Sequence, residues 1–393
     1  MSSAPRPRAC PECLRRAWLV ASLAGHIETA VDRREGSRAH ELLALPDEEL
    51  ARLLAGSRAG SFLRRARERD PMRMLEAVRG AGAWASCRHD ELYPEAARDL
   101  GDGPATIFGR GRADVLRELG RDAAVTIVGS RRPSRYGREL AKELGAELAA
   151  AGFIVVSGLA LGVDSAAQDG ALGAGGLTIA VLGCGVDVPY PPRNARLQEE
   201  IAERGAVISE LPPGTEPRRW TFPARNRIMA ALGAMTVVVE ARERSGSLIT
   251  AEMAQSLARD VGAVPGLVGS SPAAGTNALI RDGAHLIRGA QDVLDGLLGA
   301  GAERRHLSAP VGPALDDELT PVLELVERGA ATADSLARAS GLEPGPLATA
   351  LLRLELSGYL RHNGDGRYER SSLAVPEPAG PEAGDRVSGV PRG

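Results

Sequence analysis

Arginines, glycines and serines recur in this sequence directly after short apolar runs. The run VTIV leads into GSRRPSRYG at residues 129–137, which is followed by a long helical pattern. A glycine-led loop that opens a helix exposes backbone N–H groups to an anion, and arginines beside it favour a phosphate. Three arginines within residues 131–135 would be costly in a concave site that binds nothing. The loop therefore predicts phosphate binding.

Further loops of small and cationic residues follow other apolar runs. SGLALGVD (157–164) has two glycines that allow a close backbone approach, and Asp164 is expected to cap the next helix. FPARNR (222–227) brings Arg-Asn-Arg to the same edge as the first loop, which predicts either a polyanion site or a buried polar network. SGSLITA (245–251) opens another helix, and GTN (275–277) completes the set.

The sequence shows no arrangement that predicts catalysis. None of the six histidines stands beside a candidate nucleophile or in metal-binding spacing, and the serines lack a G-x-S-x-G elbow. Cys10-x-x-Cys13 lacks a second ligand pair, so we expect no metal. The G-x-G at 183–185 lacks the third glycine of a dinucleotide site. We expect a site that holds a ligand, without a cofactor and without catalysis.

The elements that must position these loops form an α/β pattern. Between Ala124 and about Asp295, the apolar runs VTIVGS, FIVVSG, TIAVLG, AVISEL, MTVVVEA and GAVPG alternate with helical stretches such as 137–151, 194–203 and 248–260. Apolar strands separated by helices predict a doubly wound parallel sheet covered on both faces. The first ~120 residues are expected to be mostly helical.

The remaining sequence predicts further domains. After a Gly/Pro/Ala-rich linker, three helical segments and a short hairpin at YLRHNGDGRYER give the plan of a winged helix. We expect a helical region at 1–92, the sheet domain at 93–298, a linker at 299–315, the winged helix at 316–370 and a disordered tail at 371–393.

Composition limits the class of protein. With 393 residues, 44% apolar and 25% charged, the chain is expected to be a soluble multidomain protein. No apolar run approaches the ~20 residues that span a bilayer, and four scattered cysteines favour the reducing cytoplasm. The net charge of −3 means that any nucleic-acid binding must come from a local cationic cluster.

The motifs, taken in order, resemble the DNA-processing protein A (DprA/Smf) family over roughly residues 93–295. The resemblance rests on GSRRPSRYG, VVSGLALGVDSAAQDGAL, TIAVLGCGVDVPYPPRN, ISELPPG, FPARNRI, VVVEARERSGSLITAEMA, AVPG and GTNALIRDGA. It implies an extended Rossmann-like fold, with an N-terminal helical domain of the SAM-like type and a C-terminal winged helix. It further implies a homodimer that binds single-stranded DNA without sequence preference. That dimer would load the RecA recombinase onto strands coated by single-strand-binding protein, in natural transformation and homologous recombination.

The resemblance also implies which residues contact DNA: Gly129, Ser130, Arg131, Arg132, Tyr136, Gly137, Ser157, Gly158, Arg225, Asn226, Arg227, Ser245, Gly246, Ser247 and Asn277. The chain departs from the family pattern at Leu161, Gln168, Asp169 and Leu177, where the family usually has basic residues or histidine. Fewer cations neutralise fewer phosphates, so we expect weaker binding or a shift to arginines elsewhere.

Other functions remain open at this stage. A nucleotide-processing or N-glycoside-hydrolysing enzyme could use Glu240, at the end of a strand, as its base. An NAD oxidoreductase is disfavoured because the second strand ends in Ser157 and not in an acidic residue. The third alternative is a protein-interaction scaffold that no longer binds DNA.

Overall fold

A computed structural model of the protein describes residues 9–33, 39–120, 122–300, 315–316, 318–328, 332–362 and 366–370. The chain forms two compact units, of which the first ends at residue 306 and the second begins at residue 307. The predicted disordered tail and nearly all of the predicted linker lie outside the described residues. Within the described ranges, no helix is long and apolar enough to cross a membrane.

The first unit begins with helices α1 (Pro11–Ser22), α2 (Ala24–Arg33), α3 (Ala39–Ala44), α4 (Asp47–Ala55), α5 (Ala59–Glu68) and α6 (Pro71–Gly80). Proline at the first position and a capping side chain start two of them. Cys10 Sγ accepts the Cys13 N–H before α1, and Asp70 accepts the Met72 N–H before α6. The apolar faces of α1 to α5 form a small core that contains Leu19, Leu50 and Trp220.

A nine-stranded sheet forms the centre of this unit in the order β1-β2-β6-β5-β4-β3-β7-β8-β9. Its strands are β1 (Trp84–Cys87), β2 (Thr106–Gly111), β3 (Ala124–Gly129), β4 (Ile154–Ser157), β5 (Thr178–Leu182), β6 (Ala206–Ser209), β7 (Met235–Val239), β8 (Asp260–Ala263) and β9 (His285–Leu286). The strands from β3 to β9 pair in parallel, whereas β2 pairs antiparallel with both β1 and β6. The predicted doubly wound sheet is thus confirmed.

Helices cover both faces of the sheet. They are α7 (Glu95–Arg98), α8 (Val115–Glu118), α9 (Arg135–Ala150), α10 (Val163–Gly173), α11 (Ala195–Arg204), α12 (Thr221–Leu232), α13 (Gly246–Ser256), α14 (Ala274–Arg281) and α15 (Ala290–Leu298). Successive strand residues point to opposite faces, so Val125 and Ile127 of β3 pack against α9 and α10 while Val128 packs on the side of α12 and α13. This two-sided burial explains the continuous apolar runs in the sequence.

Parts of the sequence-based expectation were wrong at the level of elements. The first ~120 residues are mostly helical, as predicted, but they also contain β1 and β2, and β1 lies before the predicted boundary at residue 93. These two strands are hard to recognise from their residues, because β1 has only four and β2 ends in Gly-Arg-Gly. The predicted helix 248–260 ends at Ser256, since Asp260 already begins β8.

The second unit is a winged helix, as predicted. Helices α16 (Thr320–Glu327), α17 (Ala333–Ser340) and α18 (Pro344–Leu356) are followed by an antiparallel hairpin of β10 (Leu360–His362) and β11 (Tyr368–Arg370). A capping box in which Thr332 and Ser335 exchange hydrogen bonds begins α17. Leu336, Leu354 and Tyr359 are fully buried in its own core.

Candidate nucleic-acid interface

The strand order of the sheet reverses between β3 and β7. β3 pairs with β4 on one side and with β7 on the other, so the loops after β3 and β7 diverge above the sheet. Ligands of open α/β sheets bind in such crevices. Gly129, the last residue of β3, is required here because a Cβ atom would overlap the carbonyl oxygen of Val239 in β7.

A cleft of about 730 Å³ opens at this reversal point, and we call it the switch-point cleft. Nine of the predicted DNA-contacting residues line it: Gly129, Ser130, Arg131, Arg132, Arg225, Asn226, Ser245, Gly246 and Ser247. A tenth, Gly158, lines a smaller cavity of about 120 Å³ that shares Arg131 and Arg225 with the cleft. The structure therefore brings together loops that are far apart in the sequence.

Positive charge dominates the walls of the switch-point cleft. Besides the predicted arginines, Arg219, Arg242 and Arg244 line it. The side chains of Arg131, Arg132, Arg242 and Arg244 are exposed and form no ion pair with any other residue that the structure describes. Like charges brought together without counterions repel each other, so the cleft favours a ligand with several negative charges.

Arg225 is a buried part of the cleft wall. Its Nη1 donates hydrogen bonds to the carbonyl oxygens of Gly158, at 2.8 Å, and of Val181. A Cβ atom at position 158 would overlap this guanidinium, which explains the glycine. Burial lowers the pKa of Arg225 to about 10, and the carboxylate of Asp164 opposes this shift.

Asp164 is the acidic residue of the cleft, and it is buried. Burial raises its pKa, while the charge of Arg225 counteracts that rise. Its Oδ2 accepts the N–H groups of Gly158 at 3.1 Å and Ala160 at 3.4 Å. The expectation that Asp164 caps the next helix was wrong, because α10 starts at Val163 and Gly162 precedes it. Asp164 instead holds the loop after β4 in place.

The N-terminus of α13 opens into the cleft. Ser245 caps this helix by accepting the N–H of Ser247, and the two hydroxyl groups lie 2.7 Å apart. Asn226 donates to the Gly246 carbonyl oxygen at 3.3 Å and so fixes α13 against α12. The positive end of the helix dipole adds to the charge of the arginines.

An aromatic pair forms one side of the cleft. The rings of Tyr190 and Phe222 lie 5.4 Å apart between centroids, and the guanidinium of Arg131 lies 5.6 Å from the centre of the Phe222 ring. Tyr190 keeps 37% of its surface exposed. These rings offer a flat apolar surface beside the cations, a feature that the low aromatic content of the sequence did not suggest.

The N-terminus of α9, which the sequence suggested as an anion site, is already occupied by a carboxylate of the protein. The Ser134 N–H donates to Glu240 Oε2 at 2.8 Å, and the Ser134 hydroxyl also donates to Glu240. Gly137 gives this carboxylate room, since a Cβ atom there would overlap it. The phosphate-binding potential of the loop therefore lies in its arginines and not in its helix N-terminus.

Arg227 was expected at a loop tip, and this expectation was wrong. It lies within α12 with only 3% of its surface exposed. Its guanidinium bonds to Glu210 at 2.7 and 2.8 Å and pairs with Asp102 at 3.1 Å. Although burial opposes it, these carboxylates raise its pKa above the ordinary value. Arg227 therefore belongs to a buried polar network, which was the other interpretation of the Arg-Asn-Arg motif.

The other predicted contact residues lie outside the cleft. Ser157 is fully buried and donates to the Ile127 carbonyl oxygen at 2.6 Å. Asn277 makes two hydrogen bonds to the backbone of Gly266 and so fixes the loop after β8. Tyr136 is 59% exposed near the start of α9 and does not line the cleft.

Sequence reasoning missed Arg219, Arg242, Arg244 and Tyr190. Arg242 and Arg244 stand between the end of β7 and the loop 245–251 that was already singled out, so their position in the sequence could have identified them.

Of the positions that depart from the family pattern, Leu161 lines the smaller cavity, whereas Leu177 packs on the core and Gln168 is fully buried. Asp169 pairs with Lys142 at 2.7 Å.

These features define a Rossmann-like protein that has an arginine-lined cleft at the switch point of its sheet and carries a separate winged helix. The model of the DNA recombination-mediator protein A family matches residues 84–298, and that of the DprA winged helix domain matches residues 307–366. The chain belongs to the DprA/Smf family.

Individual relatives agree with this assignment. A Mycobacterium tuberculosis protein that carries the DprA name is 37% identical over 377 residues, which cover 91% of this chain and 90% of that protein. DNA processing protein DprA of Streptococcus pneumoniae is 43% identical over 205 residues, covering 52% of this chain and 71% of that protein. The X-ray structure of the pneumococcal DprA superposes with a TM-score of 0.58 and 33% identity, over 73% of this chain and 96% of that one.

Proposed function

We propose that this DNA-processing protein binds single-stranded DNA without sequence preference in the switch-point cleft. The observation that carries the proposal is the exposed set of Arg131, Arg132, Arg242 and Arg244 around a cleft that the N-terminus of α13 also enters. Guanidinium groups and backbone N–H groups contact phosphates, which every nucleotide carries, and therefore read no sequence.

The aromatic side of the cleft favours a single strand over a duplex. Bases that are free of a partner strand can stack on Tyr190, which packs against Phe222, while Arg131 contacts the Phe222 ring. Base stacking on aromatic rings accepts any base, since each has a π-face. In a duplex, the bases are paired and cannot reach this surface.

We further propose that the protein acts as a homodimer and loads RecA onto strands coated by single-strand-binding protein, in natural transformation and recombination. This part rests on the family resemblance. A direct assay would measure RecA filament growth on coated strands with and without the protein. We expect stimulation by the wild type and none by a variant in which Arg132 and Arg244 are both alanine.

The surroundings of Glu240 argue against the alternative that the protein is an enzyme. Its carboxylate accepts two hydrogen bonds from Ser134, and Glu240 is not among the residues that line the cleft. A general base must reach the proton that it removes. Measurable nucleotide or N-glycoside turnover that disappears in Glu240→Gln would restore this alternative.

The binding proposal is tested by fluorescence anisotropy with single-stranded and duplex DNA of equal length over a salt series. We expect tighter binding of the single strand and similar affinity for oligonucleotides of different sequence. The logarithm of affinity should fall linearly with the logarithm of salt concentration. Equal affinity for single strands and duplex would remove the main support for the proposal.

A further inference from the structure

Three cysteines and a histidine meet away from the switch-point cleft, and we call them the cysteine–histidine cluster. Cys10 precedes α1, Cys13 lies in its first turn, Cys87 ends β1, and His89 follows in the next turn. The three sulfurs and one imidazole nitrogen all lie within 4.8 Å of one another. The expectation that Cys10 and Cys13 lack a second ligand pair was therefore wrong, because folding supplies it from the end of β1.

The distances in the cluster fit a tetrahedral metal site. The Nδ1 atom of His89 lies 3.5 Å from the Sγ of Cys10, 3.5 Å from that of Cys13 and 4.0 Å from that of Cys87. Zinc bonds of about 2.3 Å to sulfur and about 2.0–2.1 Å to nitrogen give tetrahedral S···N edges of about 3.5 Å. A disulfide would need a separation of about 2.05 Å, and these cysteines are free.

Backbone donors around the sulfurs suit thiolates. The Cys13 N–H donates to Cys10 Sγ at 3.5 Å, and the Cys10 N–H donates to Cys87 Sγ at 3.3 Å. Cys13 and Cys87 are buried in a core with Leu14 and Phe108. Negative sulfurs in such surroundings are costly unless a cation compensates them.

We propose that Cys10, Cys13, Cys87 and His89 bind one Zn²⁺ ion as a structural site. Three thiolates and an imidazole are a ligand set that zinc prefers and that magnesium and calcium do not. Four protein ligands leave no open coordination position, so the ion supports the fold and not a reaction. The ligands come from α1 and from the end of β1, so the ion fastens the N-terminal helices to the sheet.

The first test measures metal content in the full-length protein, purified without chelator, by elemental analysis. We expect one zinc ion per chain in the wild type and a loss of most zinc in Cys13→Ser and Cys87→Ser. The control is Cys184→Ser, because Cys184 is also a buried free cysteine but lies outside the cluster. If this control retains zinc while Cys13→Ser and Cys87→Ser lose it, the ion binds at the cysteine–histidine cluster.

The second test uses His89, whose exposed side chain can be changed without emptying a core position. Loss of a residue that only hydrogen-bonds to a metal ligand lowers metal affinity roughly 10–100-fold. His89→Ala removes a ligand itself, so this variant should bind zinc at least about tenfold more weakly. His89→Cys should retain zinc, since a site of four cysteine thiolates is also tetrahedral. Cobalt(II) bound to the wild type should show the visible absorption bands of tetrahedral thiolate coordination.

Several results would overturn the proposal. Wild-type protein without stoichiometric zinc that also gives no tetrahedral cobalt spectrum would refute the site. Iron in place of zinc, or a Cys10–Cys13 disulfide in freshly purified protein, would show that the cluster is not a zinc site.

If the ion has the proposed structural role, zinc removal by a chelator should speed hydrogen exchange in α1 and residues 84–92 and leave exchange in α18 unchanged. Unchanged exchange in α1 would refute that role.

Discussion

The main-chain N–H of Ser134 donates a hydrogen bond to Oε2 of Glu240, 2.8 Å away. This bond joins the loop after β3 to the loop after β7, the two chain segments that diverge at the switch point. Glu240 adopts a φ of +53°, a backbone conformation that is unfavourable for a residue with a side chain. Ser134 caps α9 by accepting the Gly137 N–H, so the carboxylate of Glu240 holds this capping residue in place and fixes the arginine loop at the same time.

Replacing Glu240 by alanine should destabilise the protein by about 0.5–1.5 kcal/mol, because it removes the hydrogen bonds from exposed Ser134 and water replaces them only in part. Urea denaturation followed by circular dichroism measures the effect. Glu243→Ala removes the same charge from an exposed neighbouring position and should change stability little. Equal destabilisation by both substitutions would mean that the charge, and not the hydrogen bonds with Ser134, matters.

Alanine substitution of Arg131, Arg132, Arg242 or Arg244 should weaken binding of single-stranded DNA and leave the fold intact. These side chains are exposed and contribute little to the core. The salt slope should fall by roughly 0.7 for each phosphate that is no longer neutralised. The control is Arg196→Ala, because Arg196 is 92% exposed and pairs with Glu200 away from the cleft. An unchanged salt slope in all four variants would show that DNA binds elsewhere.

Arg227→Ala should instead reduce stability by about 3–5 kcal/mol, since it leaves the buried carboxylate of Glu210 without its cation. The free energy of unfolding in urea gives the value directly. Arg131→Ala serves as the comparison and should be near neutral in stability. If Arg227→Ala is as stable as the wild type but no longer binds DNA, Arg227 contacts DNA and the prediction is wrong.

The ring of Tyr190 should contribute to binding of single strands. Stacking of a base is worth about 1–3 kcal/mol, so Tyr190→Leu should weaken single-stranded DNA binding by about fivefold or more. Duplex binding should not change. Tyr190→Phe keeps the ring and should bind as the wild type does. If Tyr190→Phe is as weak as Tyr190→Leu, the hydroxyl and not the ring makes the contact.

Deleting residues 310–393 should leave affinity for single-stranded DNA nearly unchanged. Residues 316–370 carry ten acidic side chains against six arginines. Arg353 of α18 pairs with Asp316, and Arg370 pairs with Glu327 at 2.7 Å, so these cations are already compensated. Phosphate repulsion should therefore outweigh attraction. A tenfold loss of affinity, about 1.4 kcal/mol, would show that the winged helix contributes directly.

The sequence predicted the sheet well because its central strands are buried on both faces. Runs such as VTIVG and MTVVV are short, apolar and rich in β-branched residues, and helical segments flank them, so they predict interior strands. Arg131 and Arg132 lie in the loop after β3, as predicted, because a loop must follow each strand.

The failures have physical causes as well. Arg225 and Arg227 are two residues apart, yet one borders the cleft and the other pairs with Glu210 and Asp102, and only tertiary contacts decide between these positions. The cysteine–histidine cluster needs Cys87 and His89 to approach α1, which depends on the pairing of β1 with β2. That pairing is antiparallel and short, and it leaves little trace in the sequence.

The cations that line the switch-point cleft in the described chain are all arginines, and Lys142, the sole lysine of the sequence, is bound to Asp169 elsewhere. Exposed guanidinium groups keep their charge at any pH a cell experiences. Lysine acetylation, which removes positive charge from many DNA-binding surfaces, has no substrate in this cleft. If DNA binds in this cleft as proposed, its release would depend on competing polyanions or protein partners and not on covalent neutralisation of lysines.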